Sequence, residues 1–144
     1  MEMYNREITP LATSACQSAL EQAGIDIGTV THLVTASCTG FAAPGFDLQL
    51  FSTLGLSPSV QRTHVGFMGC HGALNALRVA NSYCLSDSSA VVLLCAAELC
   101  SMHFQYGWCT NSVVSNALFA DGAAALILRG ADYDDSADFD DSAK

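Results

Sequence analysis

Cys70 is the residue whose setting most readily supports chemistry. It lies in Gly69-Cys70-His71-Gly72-Ala73, between an apolar run ending near Phe67 and a helix-forming stretch that is apolar at most positions. Glycine lets a chain turn sharply and lets a ligand come close. The spacing therefore predicts Cys70 where a strand stops and an interior helix begins, with little bulk beside its sulfur. The first N–H groups of a helix lack intrahelical partners and carry the positive end of the macrodipole, and a thiolate is the nucleophilic form of cysteine. A helix terminus contributes only about 0.3–1 kcal/mol, and ~2 kcal/mol in favourable burial, so a strongly activated nucleophile also needs a base or cation beside it. His71 is adjacent, but neighbours at i and i+1 point to different sides of a helix; the base is expected from elsewhere in the fold. The bland alternative is the usual fate of a free cysteine, a small buried hydrophobe. A second candidate is Glu98, a carboxylate at the end of a strongly apolar run, which must be either paired inside or working in a site.

The elements that would position these residues alternate between strand and helix. Residues 5–23 carry an apolar stripe (Ile8, Leu11, Ala12, Ala15, Cys16, Ala19, Leu20, Ala23) at helical spacing, closed by Gly24, with Thr9-Pro10 as a kink or second start. His32 to Cys38 reads as a strand buried on both faces, followed by a loop of small residues, Thr39 to Gly45. A short helix runs from about Phe46 to Leu54 and ends at Gly55; Val60 to Phe67 is the next strand, leading to the Cys70 turn and a helix expected to be buried on most faces. Ser88 to Ala97 is a central-strand signal, Phe104 to Asn111 an aromatic and polar loop, Asn111 to Leu118 a helical turn, 119–122 a tight turn, and Ala123 to Leu128 a further buried strand. This alternation predicts an α/β domain with a largely parallel or mixed sheet.

Composition narrows the class. Half of the 144 residues are apolar and 13% are charged, which excludes a disordered chain. The net charge is −9, but the stretch from Asp132 onward holds six aspartates and one lysine and supplies −5 of it, leaving −4 for a body with four arginines and no lysine. Nothing there forms a basic patch for nucleic acid or a polybasic membrane anchor. No apolar run is long enough to span a bilayer, and residues 1–30 do not read as a signal peptide. Seven cysteines without a C-x-x-C pair suggest reduced thiols in a cytoplasmic protein rather than a disulfide framework or zinc site. Residues 131–144 are expected to form an acidic, flexible tail or the start of a linker.

Several stretches, in one colinear order from about Arg6 to Gly130, resemble the type III polyketide synthases, the chalcone synthase-like branch of the thiolase-like condensing enzymes. They are Thr31 to Val34 leading to Cys38-Thr39-Gly40-Phe41-Ala42-Ala43-Pro44-Gly45-Phe46-Asp47, Leu54-Gly55-Leu56, Gly69 to Ala73 with Leu77-Arg78, Glu98 to Ser101, and Ala117 to Ala125. The resemblance implies a thiolase-like fold, a layered α/β/α arrangement with a mixed sheet, of which residues 1–130 would be most of one half. It implies that Cys70 accepts a starter acyl group from a CoA thioester, that Phe119 is a gatekeeper, and that Cys38, Thr39, Cys100 and His103 line the reaction cavity. Gly69 and Gly72 would shape the site, Glu98 would lie behind the pocket, and the Ala43-Pro44 loop would reach toward the partner of a homodimer. Malonyl-CoA would be the extender, with no metal and no cofactor.

The resemblance also marks what is missing. The family's catalytic histidine and asparagine belong to a second half, and no histidine follows Phe119; the basic residues that hold CoA phosphates would precede Met1. The chain is thus expected to be inactive alone. Two alternatives stand beside the main reading: a ketoacyl-ACP synthase III-like condensing enzyme, and a non-enzyme that only packs or dimerises.

Overall fold

The computed structural model describes residues 2–132. Eight main elements follow one another: α1 (Glu2–Gln22), β1 (His32–Ser37), α2 (Phe46–Leu54), β2 (Gln61–Gly66), α3 (Gly72–Ser86), β3 (Val91–Leu99), α4 (Thr110–Leu118) and β4 (Asp121–Arg129). Single 3-10 turns occupy Ile27–Thr29, Gly69–His71 and Cys100–His103.

The four strands form one mixed sheet in the order β2-β1-β3-β4. β1 is parallel to both β2 and β3, and β3 is antiparallel to β4. Successive side chains of a strand face opposite sides, and that alternation divides the core in two. Leu33, Leu93, Cys95, Ala97 and Leu99 face α1 and α2, while Val34, Ala36, Val92 and Leu94 face α3. The result is a three-layer α/β/α arrangement. α1 reaches the sheet through Tyr4, Ile8, Ala12, Cys16 and Leu20, each one turn after the last, and Pro10 lies inside it without ending it. α2 ends where expected, with Gly55 left-handed at φ 69°. The Ala43–Pro44 peptide before it is cis.

β2 is an edge strand, exposed or half-exposed throughout. Two expectations of burial do not hold. β4 begins at Asp121, inside the stretch expected to be a tight turn, and only its Ala123, Ala125 and Ile127 face pack on the α1 side. α3 buries Gly72, Ala76 and Ala80 against the sheet and leaves Leu74, Leu77 and Leu85 open. The common cause is that apolar composition records that a face favours cover, not which part of a molecule provides it. The expected acidic tail lies outside the described residues beyond Asp132.

Candidate active site

Cys70 sits in the 3-10 turn between the end of β2 and the start of α3, and it is exposed. The backbone reverses there through two left-handed residues, Phe67 at φ 57° and Gly69 at φ 65°. Positive φ is ordinary for glycine but strained for a bulky residue such as phenylalanine. The turn runs straight into α3, so Cys70 lies at the N-terminal end of that helix, where unpaired N–H groups collect.

A cavity of about 630 Å³ opens beside it. Its walls bring together Cys38, Thr39, Gly69, Cys70, Glu98, Cys100, His103 and Phe119, residues that come from the ends of β1 and β3, the Cys70 turn and the α4–β4 junction. Gly72 lies just below as the first residue of α3 and is not part of the wall.

Glu98 organises one side. Its carboxylate accepts from the Cys38 N–H at 2.9 and 3.0 Å, from the Thr39 N–H at 2.9 Å, from the Thr39 hydroxyl at 2.7 Å and from the Ser37 hydroxyl at 3.4 Å. It is half-buried and part of the cavity wall, rather than behind the pocket. These bonds satisfy the N–H groups that β1 leaves unpaired where it ends. The Cys38 sulfur in turn accepts from the Gly69 N–H at 3.1 Å. Ser37 is tied to α1 by the Tyr4 hydroxyl at 2.6 Å.

None of the four histidines is hydrogen-bonded to Cys70. His32 stacks on Tyr83 and bonds to Thr31, His64 bonds to Thr35, and His71 follows Cys70 along the helix start. His103 places Nε2 2.6 Å from the Thr39 carbonyl oxygen. A carbonyl only accepts, so Nε2 carries the proton and the neutral ring would keep its lone pair on Nδ1. Burial and then the Glu98 and Asp121 carboxylates push the Cys100 thiol up, with Cys70 adding to the effect.

Some features had no local sequence signal. Asp121 accepts from the Ser101 N–H at 2.8 Å and its hydroxyl at 2.6 Å, locking the turn after β3 to the start of β4. Asn116 and Gln105 bond reciprocally at 2.8 and 3.2 Å and close another wall. Cys109, never singled out by spacing, stands at the residue before α4 and is fully open to solvent; its Sγ lies 2.9 Å from the Ser112 hydroxyl, and bonding from Ser112 lowers its thiol below the usual range. Among the described residues no group of three His, Cys, Asp or Glu side chains is placed to hold a metal, and no helix is long and apolar enough to cross a membrane.

The family model described as chalcone and stilbene synthases, N-terminal domain, matches residues 1–133. The chain belongs to that family. Its homologues are type III polyketide synthases. An alpha-pyrone synthesis polyketide synthase-like protein of Mycobacterium tuberculosis is 38% identical over 128 residues, covering 89% of this chain and 33% of the relative. Bisdemethoxycurcumin synthase of Oryza sativa is 39% identical over 130 residues, with 89% and 32% covered. The C-terminal type III polyketide synthase domain of Steely1 from Dictyostelium superposes with a TM-score of 0.83 at 34% identity, covering 88% of this chain and 35% of that one. The chalcone synthase-like chain described here therefore spans about a third of the length of these relatives.

Proposed function

We propose that this chain carries the acyl-accepting site of a type III polyketide synthase, an acyltransferase that condenses a starter acyl-CoA with malonyl-CoA. The observation that carries this reading is the placement of Cys70, an exposed thiol at the foot of α3 beside a largely apolar cavity bounded by Phe119. The Cys70 thiolate attacks the thioester carbonyl, a C–S bond forms, and CoA leaves as its thiolate. Malonyl-CoA then loses carbon dioxide, and the electron pair of the broken C–C bond becomes an enolate. That carbon attacks the acyl-cysteine, the new C–C bond forms, and Cys70 is released as the β-ketoacyl-CoA departs. Both electron pairs come from the thiolate and the carboxylate, so the sequence of steps calls for no metal or redox cofactor.

In this reading Cys38, Thr39, Cys100, His103 and Phe119 touch the growing chain, while Gly69 and Glu98 shape the wall and Gly72 opens α3 just below it. The enolate oxygen requires hydrogen-bond donors. His103 already commits Nε2 to Thr39, so those donors are expected outside the described residues. The open apolar side chains of α3 and of the Phe104–Trp108 loop suit burial within a larger assembly, a homodimer in our reading. Seven free thiols fit a reducing, cytoplasmic setting.

The test is acylation. In a full-length version, a short acyl-CoA should add its acyl mass to the peptide holding Cys70, and Cys70→Ala should gain none. Label on the Cys70→Ala protein at another residue would reject the assignment. The 144-residue chain alone should release carbon dioxide from malonyl-CoA no faster than buffer.

A further inference from the structure

The sulfur of Cys38 lies against both glycines that flank Cys70. It accepts from the Gly69 N–H at 3.1 Å and stands 3.7 Å from the Gly69 carbonyl oxygen, to which its S–H can donate. A Cβ placed on Gly72 would lie 3.9 Å from the same sulfur. Cys38 itself is held from behind, because its N–H donates to both carboxylate oxygens of Glu98. A chain of contacts thus runs from the end of β3, through the end of β1, to the turn that carries Cys70.

From this geometry we infer that Cys38 is a positioning residue for Cys70: its thiol clasps the Gly69 peptide and fixes the turn that presents the nucleophile at the N-terminus of α3. The inference rests on the reading of Cys70 as the acyl-accepting thiol and adds a role to Cys38 beyond lining the wall. The need for a clasp is local. Gly69 is left-handed and a Cβ there would meet nothing within 4 Å, so no packing of its own holds it. Met68, before it, makes no side-chain cap to the turn. Within the turn the Gly72 N–H bonds the Gly69 carbonyl, but the Gly69 N–H has Cys38 as its partner, and glycine's own torsions restrain it least of all. A thiol suits the position because it both donates and accepts.

Alkylation separates this role from the general one. Iodoacetamide would be applied to the whole chain, with the rate at Cys70 read by peptide mass spectrometry against Cys109, which lies on α4 away from the clasp. Cys38→Ala, which removes the clasp, and Cys38→Val, which fills the space without hydrogen bonds, should each lower the Cys70:Cys109 ratio about fivefold, the scale of one net hydrogen bond. Cys38→Ser, which keeps a donor and an acceptor, should recover most of the ratio. A Val variant that matches wild type would reduce Cys38 to a packing residue and overturn the proposal, as would an Ala variant with an unchanged ratio. Should Cys38→Ala unfold, amide exchange at Gly69 in the unmodified chain decides: its N–H should be protected, and free exchange there rejects the clasp. If wild-type Cys70 is itself slow against Cys109, the acyl-acceptor reading fails instead, whatever the Cys38 variants do.

Discussion

The hydroxyl of Thr39 stands between Glu98 and the backbone of Leu99, donating to Glu98 Oε2 at 2.7 Å and accepting from the Leu99 N–H at 2.8 Å. Through it the end of β1 is stitched to the end of β3 on the cavity wall. Thr39→Val should remove both bonds and leave the Leu99 N–H without a partner, destabilising the fold by about 1–3 kcal/mol. Thr39→Ser should stay close to wild type. Glu98→Ala should be the more damaging change, since it also strips acceptors from the Cys38 and Thr39 N–H groups. Because the two residues share a bond, the double variant should lose less than the sum of the singles. Urea unfolding followed by circular dichroism reads all four; additive losses would mean that Thr39 and Glu98 act independently.

Mild acid should weaken the fold through its buried histidine. His32 is buried and stacked on Tyr83 with ring centroids 4.2 Å apart, and burial holds its pKa below the usual 6.5 despite the opposing pull of Asp87. Between the lowered folded value and 6.5, the unfolded chain binds a proton that the folded chain refuses. Stability therefore rises with pH across that window and is lost as pH falls from 6.5. His64, whose ring is partly open to solvent, moves in the same direction for the same reason. The urea midpoint should drop as pH falls below 6.5, and His32→Phe, which keeps the stacking but cannot titrate, should flatten the drop. An unchanged slope in that variant would assign the loss to other groups.

Gly40 follows Thr39 and is held to its identity by α1. A Cβ there would come within 2.3 Å of the Tyr4 ring, which is buried and fixed by its 2.6 Å hydrogen bond to Ser37. Gly40→Ala should thus destabilise the domain by about 1–3 kcal/mol, the usual range for overpacking. Tyr4→Leu should cost about as much alone, through lost packing and the lost Tyr4–Ser37 hydrogen bond. Together the two should recover part of the loss, because the smaller side chain vacates the space that the new methyl needs. A double variant no better than the sum of the singles would show that Gly40 is required for its backbone and not for the close approach.

What could be read from the sequence was whatever a local pattern encodes. The run Val91 to Leu94 is buried on both faces, as a central strand must be, and Gly55 ends α2 because a left-handed residue was needed there. The glycine bracket around Cys70 marked a real turn. The missing parts are those set by partners distant in sequence. The Cys38–Gly69 contact joins residues 31 apart and the Ser101–Asp121 lock joins residues 20 apart, so no periodicity announces either. The apolar residues of α3 suggested burial, yet Leu74 and Leu85 are open. Phe119 was singled out through resemblance alone; its neighbours Asn116 and Gln105, which close the same cavity, had no comparable signal.

A nucleophilic Cys70 should take a thiol label early, and the structure adds a competitor. Cys109 is fully exposed, and hydrogen bonds from the Ser112 hydroxyl and N–H lower its pKa, which enlarges its thiolate fraction at neutral pH. Cys16 and Cys95 lie in the core, where their mutual hydrogen bond and burial push the Cys16 thiol far up; Cys84 and Cys100 are raised by burial as well. Iodoacetamide should therefore mark two sites early, Cys70 and Cys109, and the core pair only on unfolding. Ser112→Ala should slow Cys109 severalfold and leave Cys70 untouched, since the two thiols belong to different elements with no shared partner. In a Cys109→Ser background a single fast site should remain. If none remains, Cys70 is no more reactive than an ordinary thiol, and its place at the head of α3 would not by itself supply a nucleophile.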